Sequence, residues 1–101
     1  MATEFPFAMA EALRRYGRLA ERVERATHGD TRIEASEALA GARGVLEPQE
    51  RAIVDMVAIR GRTVAWVAQQ TARPVLALEA SLFTACRKLV EHFESVGGGG
   101  G

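Results

Sequence analysis

The fold is decided by residues 63–91, TVAWVAQQTARPVLALEASLFTACRKLVE. Thr63 is a favourable N-cap and predicts a short helix over residues 64–71. Pro74 disfavours helical geometry at the residue before it, so this helix must end and a turn must follow. Apolar residues at three- and four-residue spacing then predict a longer helix over 75–95. A short helix, a tight turn and a longer helix together predict a helix-turn-helix.

The N-terminal part predicts a long amphipathic helix over residues 7–27, ended by His28-Gly29. Its apolar stripe is Leu13, Tyr16, Ala20 and Val23. Its polar side carries the arginines Arg14, Arg18, Arg22 and Arg25. Glu11 stands four residues before Arg15, and Glu21 four residues before Arg25, so we expect local ion pairs. We interpret this side as a solvated face.

Two further helices are predicted between these elements. Asp30 or Thr31 caps the first of them, which extends to about Gly41 with Ile33 and Leu39 as its apolar residues; Gly41 and Gly44 end it. The second opens at Leu46-Glu47-Pro48, because proline suits a first helical turn. It continues through Ile53, Met56 and Val57 until Gly61 breaks it.

Composition and pattern predict one all-α domain. The chain has 101 residues, of which 48% are hydrophobic and 26% charged, enough for one compact core. No segment alternates with the period of two that a half-buried strand needs. We therefore predict four or five helices in a single domain over 1–96, with N-terminal helices over 7–45 and the helix-turn-helix region over 46–95. Residues 97–101 are glycines and predict a flexible tail.

Charge and hydropathy exclude several classes of protein. The chain has 13 basic residues (Lys and Arg) and 13 acidic residues (Asp and Glu), so its formal net charge is zero. Bulk positive charge therefore does not supply affinity for nucleic acid. No stretch approaches the roughly 20 apolar residues that span a bilayer. Residues 1–12 lack the pattern of an export signal. These features predict a cytoplasmic protein without membrane contact.

Catalysis and metal binding are not expected. Cys86 is the one cysteine, and His28 and His92 are the two histidines. Cys86 and His92 are six residues apart on one predicted helix, so they do not meet as nucleophile and base. The sequence also lacks the ligand spacing of a zinc site. We predict neither an enzyme nor a bound cofactor or metal.

Several motifs between Leu46 and Leu89 carry a family resemblance. They are LEPQERAI at 46–53, RGRTV at 60–64, Val67-Ala68, and the series Leu78, Leu82, Ala85 and Leu89. In these motifs the chain resembles region 4 of bacterial sigma factors, which reads the promoter −35 element, and more distantly the DNA-binding domain of response regulators. It departs from the pattern at Ala72-Arg73-Pro74, where the family usually has glycine, and at Glu79 and Ser81, where it often has basic residues. The resemblance implies promoter binding together with RNA polymerase.

A second resemblance concerns the end of the last predicted helix. Ala85, Leu89, His92 and Phe93 have a spacing similar to that in the C-terminal domain of gene transfer agent activators of alphaproteobacteria. Those proteins are phage-derived regulators that act with RNA polymerase. The resemblance implies activation of transcription or antitermination. By itself, His92 is also explained as a hydrogen-bonded histidine at the edge of the core.

A helix-turn-helix offers its second helix to the major groove of double-stranded DNA. The inner stripe of the predicted helix over 75–95 consists of Val75, Leu78, Leu82, Ala85, Leu89 and Phe93. The opposite side of this helix carries small residues near its N-terminus and basic residues toward its C-terminus. The predicted DNA-contact residues are Arg62, Thr63, Arg73, Ala77, Ala80, Ser81, Thr84, Arg87 and Lys88. Arg87 and Lys88 would pair with phosphates, the hydroxyls of Ser81 and Thr84 with base edges or phosphates, and the two alanines with thymine methyls. Thr63 caps and Arg62 flanks the short helix, whose free N–H groups would point at a phosphate.

The same helix carries a second apolar stripe. Together with a residue of the preceding helix, the set is Trp66, Leu76, Phe83 and Val90. The first helix covers this stripe with Leu13, Tyr16 and Val23, or the stripe is exposed to a second copy of the chain or to RNA polymerase. Two alternatives to DNA binding therefore stay open at this point. One is a protein-interaction module on the same scaffold, and the other is a helical scaffold in a phage or gene transfer agent assembly.

Overall fold

The protein is described by a computed structural model that covers residues 6–26 and 29–100. Its elements in these ranges are α1 (Phe7–Arg25), α2 (Gly29–Gly44), α3 (Pro48–Val54), a π-helical segment (Asp55–Ile59), α4 (Val64–Thr71) and α5 (Val75–Gly100). The described residues contain five α-helices and no strand, so the all-α prediction is confirmed.

The bounds of the first two helices differ from the prediction. α1 ends at Arg25, because the backbone at Ala26 is extended with a ψ of 128°. Gly29 begins α2 instead of ending α1, so Asp30 and Thr31 lie inside the helix and not at its cap. His28 and Thr27 lie outside the described residues. α2 continues past Gly41 to Gly44.

The third predicted helix begins with Pro48 at its first position, as expected, but it is not α-helical throughout. After Val54 the chain widens into the π segment, where the Arg60 N–H donates to the Asp55 carbonyl at 3.1 Å. Gly61 has a φ of +67°, a conformation that suits glycine, and it ends the helical run where the sequence predicts.

The α4–α5 part follows the prediction closely. The Thr63 hydroxyl accepts a hydrogen bond from the Trp66 N–H at 3.0 Å, which confirms the predicted cap. Ala72 then adopts the left-handed conformation, with a φ of 56°, at a step usually taken by glycine. α5 begins at Val75 as predicted and runs to Gly100, beyond the expected end near Ser95. Flexibility of the glycine tail stays a prediction, and Gly101 lies outside the described residues.

One hydrophobic core joins all the helices. α1 packs against α2, α5 and the π segment, and α5 also packs against α3 and α4. The residues that α1 buries are Met9, Ala12, Tyr16 and Leu19, so the inward stripe is rotated from the predicted one. On α2 the buried residues are Ala35 and Ala42, whereas Ile33 is exposed. On α5 the predicted inner stripe is buried except for Val75, which is 41% exposed, and it also includes Cys86.

A network of polar side chains joins the π segment to α1 and α2. Tyr16 is fully buried, and its hydroxyl donates to Asp55 Oδ1 at 2.6 Å. Arg43 of α2 donates to the other oxygen of Asp55, also at 2.6 Å. Burial, together with the bond to Asp55, raises the pKa of Tyr16 above its usual range, so the hydroxyl stays a donor. One carboxylate thus joins α1, α2 and the π segment.

Candidate nucleic-acid interface

The predicted DNA-contact residues lie on the outer side of α5 and on the segments that flank α4. Seven of the nine are exposed: Arg62, Thr63, Arg73, Ala77, Ala80, Thr84 and Arg87. Along α5 the exposed members run from Ala77 to Arg87, about 15 Å of helix. We call the exposed side of α5 over residues 76–87 the outer face. Its predicted contact residues are small at the start and cationic at the end, and the large apolar Leu76 and Phe83 lie among them.

Lys88 is the clear exception, because its ammonium forms an ion pair within the chain, and its contact with phosphate stays a prediction. Its ammonium lies 2.8 Å from Oε1 and 3.1 Å from Oε2 of Glu50. Glu50 is only 6% exposed, so withdrawing Lys88 would leave a buried carboxylate without its counter-ion. Ser81 is also half-buried, which limits its access to a base edge.

Glu50 is a residue of this region that the sequence analysis missed. It lies at the third position of α3, where its carboxylate accepts the Glu47 N–H at 2.8 Å. Burial raises the pKa of Glu50, but the hydrogen bonds from Lys88 and from the Glu47 N–H outweigh burial and leave the pKa below its usual value. The carboxylate is therefore ionised at neutral pH and fixes the start of α3 to α5. A glutamate two residues after Pro48 indicates a cap at the start of α3. No sequence pattern indicates that its ion-pair partner is Lys88, which lies 38 residues later.

Arg62 is held in place by Trp66. The guanidinium carbon lies 4.6 Å from the centre of the indole ring, a cation–π contact that orients the arginine at the start of α4. Trp66 itself is half-buried and packs against the core. It therefore supports Arg62 and the core, and its role as an outward docking residue stays a prediction.

The second apolar stripe of α5 is exposed at one end only. Leu76 is 79% and Phe83 is 42% exposed, whereas Val90 is half-buried against the core. The prediction that α1 covers the whole stripe is wrong, because α1 turns its buried residues into the common core and leaves the start of α5 uncovered. Leu76, Phe83 and Arg87 lie within about 40° of one another on the helical wheel, so apolar and cationic side chains share the outer face.

The remaining candidate reactive side chains, Cys86 and His92, lie in the core or at its edge. Cys86 is fully buried, and burial raises the pKa of its thiol to about 12, so the thiol is protonated and unreactive at neutral pH. His92 is half-buried, with its ring edge-on to Phe93 at a centroid distance of 5.5 Å. Within residues 6–26 and 29–100, no three His, Cys, Asp or Glu side chains are grouped to hold a metal ion.

None of the helices in the described part of the chain is long and apolar enough to cross a membrane. No protein-family model matches the sequence, and neither the curated proteins nor the solved structures give a significant match.

Proposed function

We propose that the chain binds double-stranded DNA through α4 and α5 and regulates transcription at promoters together with RNA polymerase. The observation that carries the proposal is the outer face of α5, which is open over its first three turns and bordered by arginines. Of the sequence motifs that resemble sigma region 4, Val67-Ala68 and the series Leu78, Leu82, Ala85 and Leu89 lie on these two helices, and LEPQERAI lies at the start of α3. In this reading α5 enters the major groove, and the segments flanking α4 follow the phosphate backbone.

Charge is concentrated on this part of an otherwise neutral chain. Between residues 60 and 88 the arginines are Arg60, Arg62, Arg73 and Arg87, and all four are exposed. Glu79 is the one acidic residue in that range, and Lys88 is neutralised by Glu50. The local net charge available to phosphate is therefore +3, which supports phosphate contacts that bulk charge does not provide.

The small side chains favour a close approach to base edges. Ala77 and Ala80 leave room for thymine methyls, and Thr84 supplies a hydroxyl for a base or a phosphate. Phe83 is compatible with the same groove, because aromatic side chains also contact thymine methyls. No arginine lies on the first turn of α5, so one copy of the chain is expected to bind modestly and to need a second copy or polymerase for specificity.

The test compares two variants with the same change in net charge. Arg73→Gln plus Arg87→Gln removes two of the proposed phosphate contacts, whereas Arg14→Gln plus Arg25→Gln removes two exposed arginines from α1. We expect the first pair to weaken binding to short mixed-sequence duplexes about tenfold or more at low salt, and to reduce the salt slope by about two. Fluorescence anisotropy across a salt series measures both. Absence of binding at low salt, or equal losses in both variants, would contradict the proposal.

One observation favours a protein-interaction module as the second candidate. Leu76 is 79% exposed and lies beside Phe83, which is an unusual position for two large apolar side chains. Under this alternative, Leu76→Ser breaks a homodimer or a complex with polymerase, whereas Arg73→Gln plus Arg87→Gln leaves it intact. Light scattering over a concentration series measures the homodimer. A stable larger oligomer without DNA would instead favour a scaffold in a phage-like assembly.

A further inference from the structure

A cleft of about 520 Å³ lies between α1 and α2, away from the outer face of α5. Arg15, Arg18 and Arg22 line its α1 side, and Glu34 lines its α2 side. Buried Ala35 belongs to its lining and adds little bulk. The volume is within the usual range for small-molecule sites. Because the lining is mainly polar and cationic, an anionic ligand suits it better than an apolar one.

The arginines of α1 divide into two groups. Arg14 bonds to Glu11 at 2.7 Å, although the spacing predicts Arg15 as the partner of Glu11, and Arg25 lies 3.7 Å from Glu21 as predicted. Among the described residues, the three arginines of the cleft form no ion pair. The arginines of both groups are exposed, as expected of a solvated face, but local pairing holds for the first group and not for the second.

The three unpaired arginines form a short row. Arg15, Arg18 and Arg22 lie within about 60° on the helical wheel and span about 10 Å along α1. Guanidinium groups in such a row suit a ligand with several adjacent phosphates, because each can form paired hydrogen bonds to phosphate oxygens. Among the described side chains of the lining, Glu34 is the one acid, so those side chains carry a net charge of +2.

We propose that this cleft binds a small ligand with two or more adjacent phosphates, such as inorganic polyphosphate or a nucleoside polyphosphate. The site is separate from the DNA surface. The Arg15 guanidinium lies 4.5 Å from the ring centre of Phe93, which is buried on the inner side of α5 and lies six residues, or about 9 Å along the helix, beyond the end of the outer face at Arg87. The proposal therefore goes beyond DNA binding and does not depend on it.

Isothermal titration calorimetry with inorganic tripolyphosphate tests the site directly. We expect one saturable site, and we expect Arg18→Gln plus Arg22→Gln to weaken it about tenfold or more. The matched control, Arg14→Gln plus Arg25→Gln, changes the net charge equally on the same helix and is expected to shift the affinity less than about twofold. Glu34→Gln removes the acid of the cleft and is expected to strengthen binding about threefold.

Further probes identify the ligand class. Tighter binding of adenosine triphosphate than of tripolyphosphate supports a nucleoside polyphosphate, and equal binding supports the phosphate chain alone. Adenosine is not expected to bind. Absence of saturable tripolyphosphate binding up to about 1 mM overturns the proposal, as do equal losses in the two double variants. Binding of an oligonucleotide, but not of tripolyphosphate, through Arg18 and Arg22 also overturns it.

Discussion

Replacing Lys88 with methionine is expected to reduce the free energy of unfolding by about 3 kcal/mol. The variant keeps the apolar stem of the side chain and removes the ammonium that bonds both oxygens of Glu50. Glu50 is 6% exposed, so water does not replace the lost partner. The expected cost lies at the lower end for broken buried ion pairs, because Lys88 itself is partly exposed.

Urea unfolding followed by circular dichroism measures this loss. Arg87→Met is the matched control: the neighbouring cation is exposed, and its removal is expected to change stability by less than about 0.5 kcal/mol. Combining Lys88→Met with Glu50→Gln removes the stranded charge and is expected to recover part of the loss. Equal stability of Lys88→Met and Arg87→Met would contradict the role assigned to the ion pair.

The pH dependence supplies a second readout of the same pair. The pKa of Glu50 is lowered in the folded chain from its ordinary value of 4.5. The ionised carboxylate therefore stabilises the fold above that ordinary value, and this stabilisation is lost as the pH falls through the folded pKa. Without Lys88, we expect burial to outweigh the remaining hydrogen bond from the Glu47 N–H and to raise the pKa of Glu50 above its unfolded value. The folded Lys88→Met variant then binds more protons than the unfolded chain near that pKa. Relative to the parent protein, the variant is therefore expected to regain stability on acidification.

This ion pair also explains why the sequence predicts the helices better than the site. Local signals suffice for the ends of α4 and the start of α5, because Thr63 caps one helix and Pro74 separates it from the next. The Glu50–Lys88 pair joins positions 38 residues apart, and no periodic pattern in the sequence indicates such a contact. The sequence therefore assigns Lys88 to phosphate, although the fold uses it to neutralise Glu50.

The inward face of α1 shows the same limit. α1 is apolar over a wide arc, so two stripes satisfy helical spacing almost equally well. The structure selects the stripe containing Met9 and Leu19, rotated by about 40° from the predicted stripe of Leu13 and Val23. Packing against α2, α5 and the π segment decides between the two. A rotation of this size also determines which arginines of α1 line the cleft against α2.

The π segment places a backbone carbonyl against α1, and Gly17 makes room for it. A Cβ atom at Gly17 would lie 2.7 Å from the Ala58 carbonyl oxygen. Glycine to alanine in a helix interior ordinarily stabilises by up to about 1 kcal/mol. Here the added methyl group would clash with the Ala58 carbonyl, which can move only if the π segment shifts. We therefore expect Gly17→Ala to destabilise the protein by about 2 kcal/mol.

Gly41→Ala is the matched control for this prediction, because it places the same change inside another helix. Its Cβ would lie 3.4 Å from His92 Cε1, an ordinary contact with a side chain, so the substitution is expected to be neutral or stabilising by up to about 1 kcal/mol. Urea unfolding of both variants measures the difference. If Gly17→Ala stabilises the protein as Gly41→Ala does, α1 does not approach the Ala58 carbonyl as closely as described. The π segment would then not fix the position of α1.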